Sequence, residues 1–177
     1  VINSGLGDEV ANMKIFGSYH RNTILPRKYD DKSDVDILVL LSPKLDQRKP
    51  RWYRNLLRDQ LKGSYPFSLI EKSLPAVNVN FNHITFDLVP AFEARDHQYI
   101  IPKNDSDWMY TDPDDVKKSL DTANMMYPNG SVYSLVRLCK YWNSQAGHPL
   151  DSFQLELDVI RLSYYNIDLY ASLLHAL

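Results

Sequence analysis

The amino-acid sequence predicts an α+β fold in which a mixed sheet comes first and a helical lobe follows. Two observations support this prediction. Before residue 110, short branched apolar runs such as 37–41 are too brief for helices and are typical of strands. After residue 111, apolar residues recur every three or four positions, as they do along amphipathic helices. We therefore predict two domains, a sheet-containing core over residues 1–110 and a helical lobe over residues 111–177.

The composition narrows the class of protein and its partners. With 177 residues, 44% of them hydrophobic, the chain can form one well-packed domain or two small ones. Its 20 Lys and Arg against 22 Asp and Glu give no strong case for binding long nucleic acid. Cys139 is the single cysteine, which excludes an intrachain disulfide, and we expect its thiol to fill a helix core. Neither an 18-residue apolar run nor a signal-peptide pattern occurs, so we predict a soluble, cytoplasmic protein without a membrane contact.

The stretch 15–41 carries the strongest functional signal. An apolar lead-in ends in Gly17-Ser18, a polar loop follows, and residues 34–41 read DVDILVLL, the pattern of a buried strand. Side chains at i and i+2 of a strand point to the same face, about 7 Å apart along the chain. The carboxylates of Asp34 and Asp36 are therefore expected to lean over one spot beside the Gly-Ser turn.

Two like charges at one spot need a cation, and Mg²⁺ is commonly held by one or two carboxylates together with substrate phosphates. A glycine turn lets the backbone approach a ligand closely, and its N–H groups can bind an anion. The combination suggests a nucleotide site. The alternative is that the aspartates only make a loop soluble; these are Asp30, Asp31, Asp34 and Asp36.

A third aspartate, Asp87, interrupts the strand-like run 84–90. A charge inside an apolar strand is costly unless it is paired or bound to metal. Neighbouring strands lie about 5 Å apart, so Asp87 can join Asp34 and Asp36 if the two strands pair. The alternative is that Asp87 makes a structural salt bridge.

The remaining elements of the first domain follow from turn and capping signals. Pro50 fits the first turn of a helix that Gly63-Ser64 ends. The pattern places its apolar residues on one side and a basic stripe on the other. Residues 77–81 alternate like a strand and form a hairpin with the Asp87 strand, 99–102 close the sheet, and 103–112 form a polar, turn-rich segment. The apolar side comprises Trp52, Tyr53, Leu56, Leu57 and Leu61, and the basic stripe comprises Arg51, Arg54, Arg58 and Lys62.

Three helices are predicted in the second domain. The first has Asp112 as its cap and Pro113 in its first turn, and residues 128–130 break it. Ser131 caps the second, which Gly147 and Pro149 end. Asp151 with Gln154 resembles a capping box for a last helix through Leu177. The inward-facing residues are expected to be Val116, Leu120 and Ala123 in the first helix, and Val132, Leu135, Val136, Cys139 and Trp142 in the second.

The motif residues resemble the nucleotidyltransferases of the DNA polymerase β superfamily, most closely the branch of cyclic GMP-AMP synthase, oligoadenylate synthetase and the bacterial CD-NTases. That branch has a turn like Gly-Ser-Tyr-x-Arg-Gly-Thr, and residues 17–23 read GSYHRNT. Asn22 replaces the usual glycine, a mild departure because asparagine tolerates left-handed backbone. Residues 140–142, KYW, and 151–156, DSFQLE, resemble two helices of the same branch.

The resemblance implies a polymerase β-like nucleotidyltransferase palm over residues 1–110 and a site spread over the chain. Asp34, Asp36 and Asp87 would be catalytic and would hold two Mg²⁺ ions, or Mn²⁺ in their place, with Asp87 as general base or as the residue that positions a metal-bound hydroxide. Donor nucleotide contacts would come from the turn and from the second domain. The nucleotide-binding set comprises Gly17, Ser18, Arg21, Lys140 and Ser152. The alternative for the last two is that Lys140 is a surface charge and Ser152 only a helix cap.

Three functions remain open from the sequence. The first is a synthase that joins NTPs, ATP among them, into a short linear or cyclic second messenger and releases pyrophosphate, with room for a regulatory protein partner and a role in antiviral defence. The second is a nucleotidyltransferase that extends tRNA or transfers AMP to a protein. The third is a nucleotide-binding module without turnover. The intact Gly17-Ser18 turn and the three aspartates favour an enzyme, and the absence of a basic excess favours the first function over tRNA extension.

Overall fold

The structure is a computed structural model that describes residues 9–42, 48–96, 98–127 and 131–162. The chain forms two compact units. The sheet unit comprises the residues up to His20 together with Asp34–Pro113, and the helical unit comprises Arg21–Ser33 with the residues from Asp114 onward. Residues 21–33, which the sequence places in the first domain, group instead with the helices.

The sheet unit contains a seven-stranded mixed sheet, so the predicted α+β class is confirmed. The strands are β1 Val10–Phe16, β2 Asp34–Leu41, β3 Leu69–Ser73, β4 Ala76–Asn80, β5 Thr85–Glu93, β6 Tyr99–Pro102 and β7 Trp108–Thr111. They run in the order β1-β2-β5-β4-β3, with β6 beside β5 and β7 beside β6. Strands β2 and β5 are parallel, and the other pairs are antiparallel.

Strand β2 separates two apolar layers because its side chains alternate between the faces of the sheet. Val39 and Leu41 pack with Tyr53 and Leu57 of the helix that crosses one face. Leu38 and Leu40 pack on the other face with residues such as Val89. The alternation places Asp34 and Asp36 on the Leu38 face, opposite the helix. The apolar run of β2 therefore anchors the strand that carries both aspartates.

The sequence analysis predicts neither β3 nor β7, and of β1 it notes only the apolar lead-in before Gly17. Strand β3 buries only Ile70, and its other side chains are exposed, so it lacks the alternation that marks a half-buried strand. Strand β7 lies inside the segment predicted to be a polar turn, and that prediction is wrong for Trp108–Thr111. Its four residues are held by pairing with β6 rather than by a pattern of their own.

Two helices belong to the sheet unit: α1 Gly17–His20 and α2 Pro50–Ser64. The bounds of α2 and the position of Pro50 in its first turn are as predicted. The basic stripe is wrong at Arg54, which is buried and forms an ion pair with Asp105. The basic stripe is therefore interrupted, because the ion pair with Asp105 allows the Arg54 guanidinium to be buried.

The helical unit contains α3 Pro113–Met126, α4 Val132–Gln145 and α5 Ser152–Arg161. Their shared core includes Leu120 and Cys139, and burial raises the pKa of the Cys139 thiol to about 11. The expected inward position of Trp142 is wrong: it is 38% exposed, and Asn143 takes the next buried place on α4. Val116 is only partly buried. Among the described residues, no helix is long and apolar enough to cross a membrane.

The caps of these helices agree with the sequence in part. Ser131 stands at the start of α4, but its side chain makes no capping bond; the Asn124 side chain accepts the hydrogen bond of Val132 N at 3.1 Å instead. Asp151 caps α5 as predicted, with its carboxylate 2.8 Å from Gln154 N. Helix α5 ends at Arg161. The predicted break at residues 128–130 and the predicted helix beyond residue 162 lie outside the described residues.

Candidate active site

The parallel pairing of β2 with β5 aligns two of the predicted site residues. Asp36 lies in register with Asp87, and Asp34 lies in register with Thr85. Register partners on adjacent strands point to the same face about 5 Å apart. Asp34 shares that face because it lies two residues before Asp36. The three aspartates predicted from separate stretches are therefore on one face at the start of β2, as expected if the strands pair.

Gly17 closes this face at the end of β1. Its φ is +68°, a left-handed conformation, and a β-carbon at this position would lie 1.8 Å from Oδ2 of Asp36. Any residue with a side chain would collide with the carboxylate. The glycine that the sequence analysis assigned to close ligand approach thus also brings the backbone onto Asp36. Ser18 follows in α1 and is partly buried.

Asp87 has an amide partner on the neighbouring strand. Asn78 lies in register with it on β4 and donates a hydrogen bond from Nδ2 to Oδ1 at 2.5 Å. Among the described residues, this amide rather than a basic side chain holds the carboxyl, which disfavours the structural salt bridge. Burial raises the pKa of the Asp87 carboxyl, and the hydrogen bond from Asn78 only partly opposes that rise. The resulting carboxylate is oriented and more basic than usual, which suits a proton acceptor.

The donor set of this face fits a divalent cation. Three carboxylates supply hard oxygen ligands and a charge that one or two divalent cations would balance. Their ligand atoms do not all lie within 4.8 Å of one another, however. Among the residues that the structure describes, Asp30, Asp31 and His148 of the helical unit have ligand atoms within 4.8 Å of one another. The nitrogen Nε2 of His148 lies 3.6 Å from Asp30 and 3.5 Å from Asp31.

Sequence reasoning missed the role of Glu156. Its carboxylate is fully buried and accepts hydrogen bonds from Arg21 Nε at 2.6 Å and Thr23 Oγ1 at 3.0 Å. The Lys140 ammonium lies 2.6 Å from its other oxygen. Burial alone would raise the pKa of Glu156, but the hydrogen bond from Arg21 and the charges of Lys140 and Arg21 outweigh it, and the net shift is downward. An acidic residue beside buried Leu155 on the apolar side of α5 was the available signal.

The other predicted nucleotide-binding residues are placed as follows. Lys140 and Arg21 are each 5% exposed, so the alternative of a surface charge at Lys140 is wrong. Ser152 is the first residue of α5, and the capping bond comes from Asp151, so Ser152 is not the cap. Asn22 has φ 59°, as its replacement of a glycine requires, and its carbonyl accepts a hydrogen bond from Arg137 at 2.8 Å.

Comparison with known proteins gives a family and a fold. A family model described as the Second Messenger Oligonucleotide or Dinucleotide Synthetase domain (SMODS) matches residues 2–124. A curated relative, a probable cyclic nucleotide synthase of Bacillus cereus (strain VD146), is 32% identical over 88 residues, which cover 45% of this chain. The match spans 26% of that relative's length.

Solved structures share the fold at low sequence identity. The CdnE cyclic dinucleotide synthase of Elizabethkingia meningoseptica, solved with GTP and Apcpp, superposes with a TM-score of 0.75 at 19% identity, over 99% of this chain and 70% of that one. The CD-NTase CdnG of Bradyrhizobium diazoefficiens, solved with GTP, gives a TM-score of 0.75 at 16% identity, over 98% and 64%.

Proposed function

We propose a reaction for this chain from one premise: the chain belongs to the SMODS family, whose model matches residues 2–124. Membership confirms the resemblance to the CD-NTase branch that the Gly17-Ser18 turn and the aspartates predicted, and the polymerase β-like fold is shared with solved CD-NTases. The proposed activity is metal-dependent transfer of a nucleotidyl group from one NTP to a hydroxyl of another nucleotide. The product is a short linear or cyclic oligonucleotide, and pyrophosphate is released.

A single observation carries the proposal: the register of β2 and β5 aligns Asp36 with Asp87 on a face that Gly17 closes. An aspartate pair in a random surface loop would have neither the register nor the required glycine. The arrangement supports three carboxylates acting together on one substrate centre. The third hypothesis, a module without turnover, has no comparable support.

Asp34, Asp36 and Asp87 would hold the divalent cations, Mg²⁺ or Mn²⁺, which their oxygen ligands fit. Bound there, such cations supply charge neutralisation for the triphosphate and lower the pKa of the acceptor hydroxyl. Asp87 accepts the hydroxyl proton, a role that the amide of Asn78 assists by fixing its carboxylate. The hydroxyl oxygen forms the new bond to the α-phosphorus while the bond to pyrophosphate breaks.

Two sets of residues are proposed to contact the donor phosphates. In the sheet unit, the turn at Gly17 and Ser18 offers backbone N–H groups and a hydroxyl to the triphosphate. In the helical unit, Lys140 and Arg21 supply positive charge and Ser152 a hydroxyl at the start of α5. These roles rest on the family resemblance of their motifs.

The proposed substrates are NTPs, both as donor and as acceptor. CdnE and CdnG are solved with GTP, and the former also with Apcpp. The chain lacks the basic excess that a tRNA substrate needs, and the burial of Arg54 removes one cation from its only concentrated stripe. The proposed location of the reaction is the cytoplasm, because its reducing environment is compatible with the free thiol of Cys139. A regulatory protein partner stays a prediction.

The test is incubation of the full-length gene product with labelled NTPs and Mg²⁺, followed by mass spectrometry of small products. A short oligonucleotide that forms from NTPs alone, and not with the Asp36→Asn variant, is the expected result. Protein that is idle with every NTP mixture but extends added tRNA overturns the proposal in favour of tRNA extension.

A further inference from the structure

The helical unit contains a buried ionic cluster of four residues, Arg21, Thr23, Lys140 and Glu156. Glu156 lies at its centre with no exposed surface, and Thr23 is equally buried. Arg21 donates to both carboxylate oxygens, at 2.6 Å and 3.3 Å, and Lys140 reaches the second at 2.6 Å. The Arg21 guanidinium also lies 5.4 Å from the centre of the Phe153 ring. Every charged group of the cluster is thus held in place by at least one short contact.

The cluster has one positive charge more than it has negative charges. Among the described residues, the ion pairs of Arg21 and Lys140 all end on Glu156, so two cations share one anion. Both cations are 5% exposed. A surplus charge with so little access to water is costly unless an anion balances it. Such a cluster is suited to bind a second, multiply charged anion.

Glu156 joins three segments that the proposed function treats separately. Arg21 and Thr23 directly follow the α1 helix that contains Ser18, Lys140 comes from α4, and Glu156 comes from α5. The segments are up to 135 residues apart in the sequence. The Glu156 carboxylate therefore determines the positions of both the Arg21 guanidinium and the Lys140 ammonium.

We propose that Glu156 is a positioning residue, which holds the Lys140 ammonium and the Arg21 guanidinium so that the surplus positive charge of the cluster meets the polyphosphate of an NTP. The inference rests on the proposed function, because it takes its anion from the NTP substrate. Glu156 itself does not contact the nucleotide. It fixes the two cations, whose mutual repulsion would otherwise separate them.

The ratio of two affinities separates this role from a purely structural one. A residue that only stabilises the fold would not change how strongly the folded protein prefers a triphosphate to a monophosphate. A residue that positions cations for a polyphosphate would change that preference and leave monophosphate affinity alone. Calorimetry with a non-hydrolysable ATP analogue and with AMP, in Mg²⁺, measures both affinities in the full-length protein.

Glu156→Gln is the main variant and Asp158→Asn is its control. Asp158 lies on the same helix and is exposed, so its variant removes a carboxylate without touching the cluster. We expect Glu156→Gln to lower the triphosphate-to-monophosphate affinity ratio roughly tenfold or more, the scale of a lost charged hydrogen bond. Asp158→Asn should keep the wild-type ratio. Tighter triphosphate binding by Glu156→Gln, from its extra net positive charge, would overturn the positioning role.

Glu156→Asp keeps the test decisive if the glutamine variant does not fold. It retains the charge but shortens the side chain by one methylene, so we expect an intermediate loss of the ratio. Folded variants of Glu156 with the wild-type ratio and a lower melting temperature would overturn the proposal and leave a structural role alone. Nucleotidyl transfer is a separate readout. If transfer requires Asp36 but the affinity ratio does not change in Glu156 variants, only this inference is refuted. If the wild-type protein shows no transfer, the proposed function is refuted.

Discussion

Gly17 approaches Asp36 so closely that a β-carbon on the glycine would lie 1.8 Å from Oδ2 of the carboxylate. Gly17 directly follows β1, which is antiparallel to β2, and Phe16 at the end of β1 lies in register with Asp36. The turn that precedes Ser18 and the carboxylate proposed to hold a cation therefore form one surface. Its geometry depends on the absence of a single methyl group.

We expect Gly17→Ala to abolish nucleotidyl transfer and to destabilise the protein. The left-handed backbone alone costs about 1–2 kcal/mol for a residue with a β-carbon, and the collision with Asp36 adds to it. Thermal denaturation measures the stability, and mass spectrometry of the products measures transfer.

Two other glycines supply matched controls for Gly17→Ala. Gly147 has φ +83° but open space around a β-carbon, so Gly147→Ala reports the backbone strain alone. Gly63 in α2 has open space without positive φ, and Gly63→Ala should stabilise the helix by roughly 0.5–1 kcal/mol. An active Gly17→Ala protein would show that the carboxylate can move away and that the turn is not required.

We expect Asp34→Asn, Asp36→Asn and Asp87→Asn each to abolish transfer while the fold survives. Each change removes a ligand charge from a shared face and leaves the side-chain shape nearly unchanged. Reduced repulsion among the carboxylates should hold or raise the melting temperature of the metal-free protein. Asp59→Asn is the control, because Asp59 is an exposed aspartate that pairs with Arg58 on α2. Wild-type turnover in any of the three variants would remove the site assignment.

Ser18→Ala and Lys140→Ala should both weaken NTP binding, with the larger effect at Ser18. Their stabilities should differ in the opposite order. Removing Lys140 takes one cation from buried Glu156 but leaves its ion pair with Arg21, so the loss of stability should be smaller than the cost of an unpaired buried charge, about 3–5 kcal/mol. Calorimetry with a non-hydrolysable NTP and thermal denaturation separate the two effects. Lys118→Ala, at an exposed position of α3, should change neither quantity, and unchanged NTP affinity in both test variants would contradict the assigned phosphate contacts.

The stability of the protein should fall in acid partly through Glu156. Its pKa is lower in the folded state than its ordinary value of 4.5, so the folded protein binds fewer protons than the unfolded chain. The contribution is complete above that value and is lost as the pH falls through the folded-state pKa. Denaturant titrations between about pH 6 and pH 3 should show a steeper loss for the wild type than for Glu156→Gln. If stability falls with pH equally steeply in the wild type and in Glu156→Gln, then Glu156 does not take up a proton on unfolding and the prediction is wrong. The control variant Asp158→Asn should show the same pH dependence as the wild type.

Local patterns were enough for the elements that carry the proposed chemistry. Strand β2 is predicted to run from Asp34 to Leu41, and the structure has the same bounds. A continuous apolar run of this length is too short for a helix and is typical of a buried strand. Helix α2 began at Pro50 as predicted, since proline at the first turn leaves no unsatisfied N–H group. The left-handed backbone at Asn22 was also foreseen from its place in the turn motif.

The sequence by itself determined which residues are chemically able to form a site: Gly17, Ser18 and the three aspartates. Only the tertiary structure decided which of them share a surface. The register of Asp36 with Asp87 requires β2 to pair in parallel with β5, although β3 and β4 lie between these strands in the sequence. No local pattern encodes that choice of partner. Arg54 with Asp105, and Glu156 with Arg21 and Lys140, are pairs of the same kind. From the sequence alone, a charged residue is predicted to be exposed, because burying an unpaired charge is strongly unfavourable. Only the fold shows which distant partner allows it to be buried.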